Sequence, residues 1–192
     1  MEQPLNALIL VRHSSVTINP DKPASTWTLS DEGRTRAAIL AEHLRPYRPD
    51  CVITSVEPKA AETGEIVARE LHIPFSTAPN LHEHERSNVS FVGREQFESQ
   101  VRAFFAAPNR LIFGDETADQ AHDRFASAID NLVQQHQNLV VVTHGTVLTL
   151  YVSRLANCDP FDFWKQLGLP AFVVLSLPDM GLMKVAHEIE RL

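Results

Sequence analysis

The chain contains few cysteines and no long apolar segment, and both shortages exclude classes of protein. Its two cysteines, Cys51 and Cys158, lie far apart and lack the spacing of metal ligands, so we expect no disulfide framework and a reducing, cytoplasmic location. The apolar run at residues 7–11 ends at Arg12-His13. Because such a run is too short for a membrane span or a signal-peptide core, no membrane association is expected.

Positively charged residues are also fewer than negatively charged ones. The sequence has 17 Lys and Arg residues against 24 Asp and Glu residues, which gives a formal net charge of -7. Because binding of a phosphate backbone requires clustered Lys and Arg, nucleic acid is not an expected partner. The 192 residues, 44% of them hydrophobic, suffice for one domain with a packed core. The sequence does not define an oligomeric state.

Strand-like and helix-like segments alternate along the chain. Apolar runs predict strands at residues 7–11, 50–55, 139–143 and 171–177, with a weaker one at 74–81. Helical periodicity covers the segment from Ser30, its N-cap, to Pro46, and also residues 60–71, 95–106, 118–136 and 147–155. This order predicts the α/β class, as a three-layer α/β/α sandwich with a mainly parallel sheet.

Polar residues directly follow several of the predicted strands. In a parallel sheet the carboxyl ends of the strands meet at one edge, and functional side chains gather beyond that edge. We therefore expect the residues after four strands to meet at one edge, namely Arg12-His13-Ser14-Ser15, Thr54-Ser55 with Lys59 just beyond, residues 81–86, and Thr143-His144-Gly145-Thr146. Together they supply two histidines, two or three cations and at least one carboxylate.

These residue types suit phosphoryl transfer. The reaction needs an in-line nucleophile, cations around the transferred group and a proton for the leaving oxygen. The neutral imidazole of His13 can attack phosphorus and form a covalent intermediate. Arg12, Lys59 and a protonated His144 can stabilise the developing charge without a metal ion. Gly145, at the start of a helix, would present backbone N–H groups to an anion.

Four blocks of the sequence resemble the histidine phosphatase superfamily, which is also called phosphoglycerate-mutase-like. Leu8-Ile-Leu-Val-Arg-His13 is similar to its "LVRHG" opening, and Ser55-Val-Glu-Pro-Lys-Ala-Ala-Glu-Thr63 is similar to "SSPLxRAxxTA". Leu81-His-Glu83 resembles "LxE", and Val141-Val-Thr-His-Gly145 resembles "VxHGG". The blocks occur in the family's order. The resemblance implies a single domain over residues 1–192, with a small cap at about 82–118, in the small phosphatase branch.

The resemblance also implies roles for individual residues. His13 would be the nucleophile that forms a transient phosphohistidine, and Arg12 and His144 would bind the phosphoryl group. Glu83 would protonate the leaving group and then activate water, which asks for a carboxyl pKa near the working pH. The expected activity is that of a phosphoric monoester hydrolase without metal or cofactor. Its substrate would be a phosphorylated small molecule or a phosphoprotein, protein phosphohistidine included.

Two positions depart from the family pattern. Ser14 stands where the family has glycine, so its hydroxyl either donates to the phosphoryl group or narrows the pocket. Lys59 stands in place of the second arginine, which keeps the charge but loses the bidentate fork. Arg86, three residues after Glu83, is a candidate for the missing guanidinium.

Alternatives remain open for several side chains. A lysine in the first turn of a helix, as at Lys59, is usually solvated. Glu85 competes with Glu83 as the acid. His82 and His84 have the spacing of a metal pair on one face of a strand, although no cysteine or carboxylate pattern completes the shell. The phenylalanines of the cap either pack it or line the cleft, and these are Phe91, Phe97, Phe104 and Phe105. The stretch from Phe161 to Leu169 is either core or interface.

Two alternative functions also stay open. A phosphomutase of the same superfamily must exclude water, which calls for longer insertions than this chain has. A non-catalytic phosphate-binding or interaction module is the other alternative, and the departures at Ser14 and Lys59 are the features that favour it.

Overall fold

A six-stranded sheet forms the middle layer of the protein. The computed structural model describes residues 6–189. The strands are β1 (Ala7–Arg12), β2 (Cys51–Thr54), β3 (Phe75–Thr77), β4 (Asn138–Thr143), β5 (Ala171–Ser176) and β6 (Leu182–Ala186), in the spatial order β3-β2-β4-β1-β5-β6. The first four strands in sequence run parallel to one another, and β5 and β6 form antiparallel pairs at the other side of β1.

Strands β1, β2 and β4 end at the same level. Arg12 is paired with Thr143, and Thr54 is paired with Val142. The hydrogen bonding continues one residue beyond the strands, since the His13 N–H donates to the Thr143 carbonyl and the Ser55 N–H to the Val142 carbonyl, both over 2.9 Å. The residues that follow three different strands are therefore held side by side.

Six α-helices cover the two faces of the sheet within the described part of the chain. They are α1 (Asp31–Leu44), α2 (Pro58–Leu71), α3 (Arg94–Ala106), α4 (Ala118–Gln135), α5 (Gly145–Ala156) and α6 (Pro160–Gln166), with short 3-10 turns at Ala24–Thr26 and Arg45–Tyr47. The Ser30 side chain accepts the N–H of Gly33, which confirms it as the N-cap of α1. Thr117 and Gln120 form a capping box at α4.

Alternate residues of the central strands face opposite hydrophobic layers. Leu8 and Leu10 pack with α3, α4, α5 and α6 on one face, whereas Ile9 and Val11 pack with α1 and α2 on the other. Continuous apolar strands are expected when both faces of a parallel sheet are covered. The prediction of a three-layer α/β fold is therefore confirmed.

The structure differs from the sequence prediction in three places. The weak strand predicted at 74–81 is only three residues long, because Asn80 adopts a positive φ of 65° and the chain turns away from the sheet edge. Strand β6 and helix α6 were not predicted, and the last predicted strand pairs antiparallel with β1. Phe161 and Phe163 of α6 are buried in the core cluster, so this stretch is core.

No helix within residues 6–189 is long and apolar enough to cross a membrane.

Candidate active site

His13 lies directly after β1 and is buried. Its Nδ1 atom is 2.8 Å from the Ser14 carbonyl oxygen. A carbonyl oxygen only accepts, so Nδ1 carries the proton and Nε2 keeps a free lone pair. The pKa of His13 is lowered to about 3, first by burial and then by the charge of Lys59, although the hydrogen bond to Ser14 raises it. The imidazole is thus neutral at neutral pH.

His144 faces His13 across the site. It lies between β4 and α5, is fully buried, and its ring centroid is 5.2 Å from that of His13 in an edge-on arrangement. Its Nε2 atom is 2.9 Å from the Ser55 hydroxyl oxygen. Burial lowers the pKa of His144 well below its ordinary value, and the charge of Lys59 adds to the effect. A bound dianion would raise this pKa, so the protonated form expected during phosphoryl binding stays a prediction.

Arg12 enters the site from the last position of β1. One guanidinium nitrogen donates to the Leu167 carbonyl, and Nε is buried with no partner among residues 6–189. Gly145 makes room for this side chain. A Cβ atom at Gly145 would lie 3.0 Å from Arg12 Nε and 3.1 Å from Cζ. The absence of a side chain at Gly145 therefore leaves the space that the Arg12 guanidinium occupies.

The Glu83 carboxylate lies at the N-terminus of α5. It accepts the backbone N–H of Thr146 over 3.1 Å and that of Val147 over 3.3 Å. Desolvation raises the pKa of Glu83, but the charge of Arg86 and the N–H donors of His84 and Thr146 outweigh it, so the net pKa is lowered. The helix terminus that was predicted to receive a substrate anion thus receives the protein's own carboxylate.

The competing carboxyl, Glu85, points elsewhere. It is exposed and its Oε1 is 3.0 Å from His82 Nε2. Between Glu83 and Glu85, the structure therefore brings only Glu83 to the end of α5 beside His144.

Lys59 is almost completely buried, with 5% of its surface exposed, so the solvated alternative is wrong. Its ammonium group donates to the Glu57 carboxylate and, over 2.7 Å, to the Ala24 carbonyl. It also lies close enough to lower the pKa values of both histidines. The cation predicted for the phosphoryl group is therefore in the site, but it is shared with a carboxylate that sequence reasoning did not single out.

Ser14 and Arg86 each present a polar atom without a partner. Ser14 is fully buried, its N–H donates to the Thr63 hydroxyl over 3.1 Å, and its own hydroxyl has no partner in the described part of the protein. Arg86 lies with Cζ 4.9 Å from the Phe97 ring centroid, and its Nη1 is likewise buried and unpaired within residues 6–189. Arg86 is also the cation with the largest effect on the pKa of Glu83.

Comparison with known proteins agrees with this geometry. The family model described as "Histidine phosphatase superfamily (branch 1)" matches residues 8–182. The chain belongs to this superfamily. The expected class of activity, a phosphoric monoester hydrolase of the histidine phosphatase family, is confirmed.

Individual relatives of this histidine phosphatase include two curated proteins. The chain is 28% identical over 172 residues to a metal-independent phosphoserine phosphatase of Arabidopsis thaliana, covering 83% of this chain and 72% of the relative. It is 22% identical over 204 residues to a 2,3-bisphosphoglycerate-dependent phosphoglycerate mutase of Cytophaga hutchinsonii, covering 91% and 96%. A solved phosphoserine phosphatase of Entamoeba histolytica, in complex with 3-phosphoglyceric acid, shares the fold with a TM-score of 0.75, 17% identity, and coverage of 95% and 97%.

His82 and His84, the histidines with the spacing of a metal pair, have different surroundings in this histidine phosphatase. His84 is buried with its ring centroid 4.2 Å from that of Phe104, and His82 contacts Glu85. Residues 6–189 contain no cluster of three or more His, Cys, Asp or Glu side chains that could hold a metal ion.

The phenylalanines of the 82–118 segment divide between core and surface. Phe104 and Phe105 are buried, and Phe97 packs partly against the same cluster. Phe91 is 55% exposed, with its ring centroid 6.2 Å from that of Trp27, which belongs to the loop before α1.

Sequence reasoning missed the residues that hold the loop of Glu83. Arg124 of α4 donates to the carbonyls of Asn80, His82 and Glu83 over 3.0 to 3.2 Å, and pairs with Glu116 at 2.7 Å. An arginine on an otherwise regular amphipathic helix carries no signal of this kind, because its partners are distant in sequence.

Proposed function

We propose that this protein is a metal-independent phosphomonoesterase in which His13 becomes transiently phosphorylated. The observation that carries the proposal is the bond between His13 Nδ1 and the Ser14 carbonyl, because it leaves Nε2 as the attacking atom. Arg12 and His144 converge on the same end of the sheet and can hold the phosphoryl oxygens. Glu83 is the acid and base.

The proposed reaction has two steps. In the first, His13 Nε2 forms a bond to phosphorus, the ester P–O bond breaks, and protonated Glu83 gives its proton to the leaving oxygen. In the second, the Glu83 carboxylate takes a proton from water while the water oxygen attacks phosphorus and the N–P bond breaks. Inorganic phosphate leaves, and His13 returns to its neutral form with Glu83 protonated.

The lowered pKa of Glu83 must be reconciled with its role as an acid. A substrate phosphoryl group carries negative charge, and a like charge nearby disfavours the ionised carboxyl. Substrate binding would therefore raise the pKa of Glu83 in the step that needs its proton.

Three further residues are proposed to contact the substrate phosphoryl group, and a fourth to act indirectly. Lys59 and Arg86 supply charge, and the unpaired hydroxyl of Ser14 is a donor next to the nucleophile. Gly145 contributes through the space that it leaves for Arg12. Arg86 is proposed to replace the family's second guanidinium, and Arg86→Lys is expected to lower kcat/KM about tenfold, because an ammonium group lacks the bidentate fork. An unchanged rate in this variant would contradict that role.

We further propose that residues 82–118 form a small cap within one domain, and that the loops carrying Trp27 and Phe91 flank the entrance. The relatives named above are phosphoserine phosphatases and a phosphoglycerate mutase, and one of them is solved with 3-phosphoglyceric acid. The preferred substrate is accordingly a small phosphorylated metabolite of the cytoplasm. Phosphoproteins are the second class of substrate to be screened.

The decisive experiment measures p-nitrophenyl phosphate hydrolysis with a chelator present in wild type and His13→Ala, together with acid-quench detection of labelled phosphohistidine. Chelator-resistant turnover and an acid-labile, base-stable label that both vanish in His13→Ala are expected. Turnover that persists in His13→Ala would overturn the proposal. Phosphate binding without hydrolysis of any phosphomonoester would instead favour the binding module, and transfer between two positions of a phosphoglycerate would favour the mutase.

A further inference from the structure

One buried carboxylate of the site, Glu57, has no part in the reaction described above. It lies between Ser55 at the end of β2 and the first turn of α2, and only 8% of its surface is exposed. A carboxylate removed from water is costly unless hydrogen bonds and opposite charge satisfy it. The partners of Glu57 therefore indicate what keeps it there.

The two oxygens of Glu57 bind two different parts of the site. Oε1 accepts the backbone N–H of Glu83 over 2.9 Å, and Oε2 accepts the ammonium group of Lys59. The Glu57 N–H donates to the Ser55 hydroxyl over 3.2 Å, and that hydroxyl contacts His144 Nε2. Glu57 Oε1 also lies 3.6 Å from His144 Nε2. One residue thus joins the loop of the proposed acid to a cation and to the second histidine.

We infer that Glu57 is a positioning residue that fixes the backbone of Glu83 and thereby the direction in which its proton is delivered. The inference rests on the proposed function, since it needs Glu83 to be the acid. The Glu83 side chain is held at the N-terminus of α5 by the N–H groups of Thr146 and Val147, and Glu57 holds the main chain of the same residue. Holding both the main chain and the carboxylate of Glu83 limits the direction from which its proton can reach the leaving oxygen.

Substrates with different leaving groups separate this role from general destabilisation. An alkyl phosphate or phenyl phosphate has a basic leaving oxygen that must receive a proton as the ester bond breaks. The p-nitrophenolate anion is a good leaving group and needs much less help. Loss of proton delivery therefore slows the first kind of substrate more, whereas loss of folded protein or of phosphoryl binding slows both kinds equally.

Two substitutions at Glu57 and one matched control follow from the contacts. Glu57→Leu removes both contacts. Glu57→Gln replaces one of the two acceptor oxygens by an NH2 donor, which in the same orientation faces either the Glu83 N–H or the Lys59 ammonium group without accepting from it. Glu62→Gln is the control, because Glu62, on α2, likewise accepts a backbone N–H, that of Leu29 over 2.8 Å, and pairs with a cation, Arg34 at 2.8 Å, but has no hydrogen bond to Glu83.

The experiment compares kcat/KM for phenyl phosphate and p-nitrophenyl phosphate, with thermal unfolding as a check on folding. We expect Glu57→Leu to lower the ratio of phenyl to p-nitrophenyl rates about tenfold, and Glu57→Gln to lower it by about threefold, because the acid is displaced rather than lost. Glu62→Gln should leave the ratio within about twofold of wild type. If Glu57→Leu does not fold, Glu57→Gln alone decides the test.

An unchanged ratio in the Glu57 variants would overturn the inference, whether or not both rates fall together. An equal fall of the ratio in Glu62→Gln would overturn it too, because the effect would then not depend on a contact with Glu83. Failure of the proposed function is a different result, namely turnover that survives in His13→Ala. The two failures are therefore distinguishable.

Discussion

The carboxylate of Glu83 accepts the backbone N–H of Thr146 over 3.1 Å, so the proposed acid also caps the helix that follows the second histidine. This contact joins two blocks of sequence that lie far apart in the chain. It also contributes to the lowered pKa of Glu83. The consequence is a pH dependence of the reaction that can be measured.

The rate should fall as the pH rises when the leaving group is basic. Glu83 must be protonated to act as an acid, and a lowered pKa means that its protonated fraction in the free enzyme decreases from acidic pH upwards. We expect kcat/KM for phenyl phosphate to be highest at the acidic end of the stable range. Glu83→Gln should lose about 100-fold or more in rate and flatten this decline, because the acid is absent. A wild-type rate that rises steadily with pH would contradict the assignment.

A methyl group at Gly145 should displace the guanidinium of Arg12. The Cβ of alanine would lie 3.0 Å from Arg12 Nε, which is closer than these atoms normally approach. We expect Gly145→Ala to lower kcat/KM by about 10- to 100-fold, since small displacements of a phosphoryl-binding group have effects of this size. Gly93→Ala is the control, because no atom lies within 4 Å of its added Cβ. Equal activity of the two variants would show that Arg12 adapts without loss.

Removal of the Ser14 hydroxyl should lower the activity without lowering the thermal stability. Because this hydroxyl is buried without a partner in residues 6–189, its loss removes no hydrogen bond and should leave Tm unchanged or higher. If the hydroxyl donates to the phosphoryl group, Ser14→Ala lowers kcat/KM by about tenfold. The measurement pairs thermal unfolding with steady-state kinetics. A faster variant would show instead that Ser14 narrows the pocket.

The buried nucleophile should make the fold less stable in acid. The pKa of His13 is 6.5 ordinarily and about 3 in the folded protein, so as the pH falls the unfolded chain takes up the proton first. The stability that His13 contributes is complete above the unfolded pKa and is lost as the pH falls towards the folded value, at about 1.4 kcal/mol per pH unit at most.

Urea unfolding at several values of pH tests this statement. His13→Asn cannot take up the proton, so its free energy of unfolding should decline less between neutral pH and about pH 5 than that of wild type. Identical slopes for the two proteins would mean that His13 is solvated or paired with a carboxylate in solution.

The motif residues could be predicted from the sequence, and the structure brings Arg12, His13, Glu83 and His144 to one end of the sheet. For Arg12, His13 and His144 the reason is local, because buried parallel strands are continuous apolar runs and the first polar residues after each run mark the edge at which the strands end together. Glu83 lies beyond the short, exposed strand β3, and only the resemblance of its motif to the family indicated it. The Ser30 cap and the two-layer covering of the sheet follow from equally short patterns.

Other features depended on residues that meet only in the folded chain. The pairing of Glu57 with Lys59 and with the Glu83 main chain, and the bonds of Arg124 to the same loop, have no counterpart in a sequence pattern. The lowered pKa of His144 has no counterpart in a sequence pattern either, because it depends on burial and on charges contributed by other segments. The sequence by itself determined which side chains reach the edge of the sheet. Only the tertiary structure decided how each is charged and held, because desolvation and long-range hydrogen bonds depend on packing.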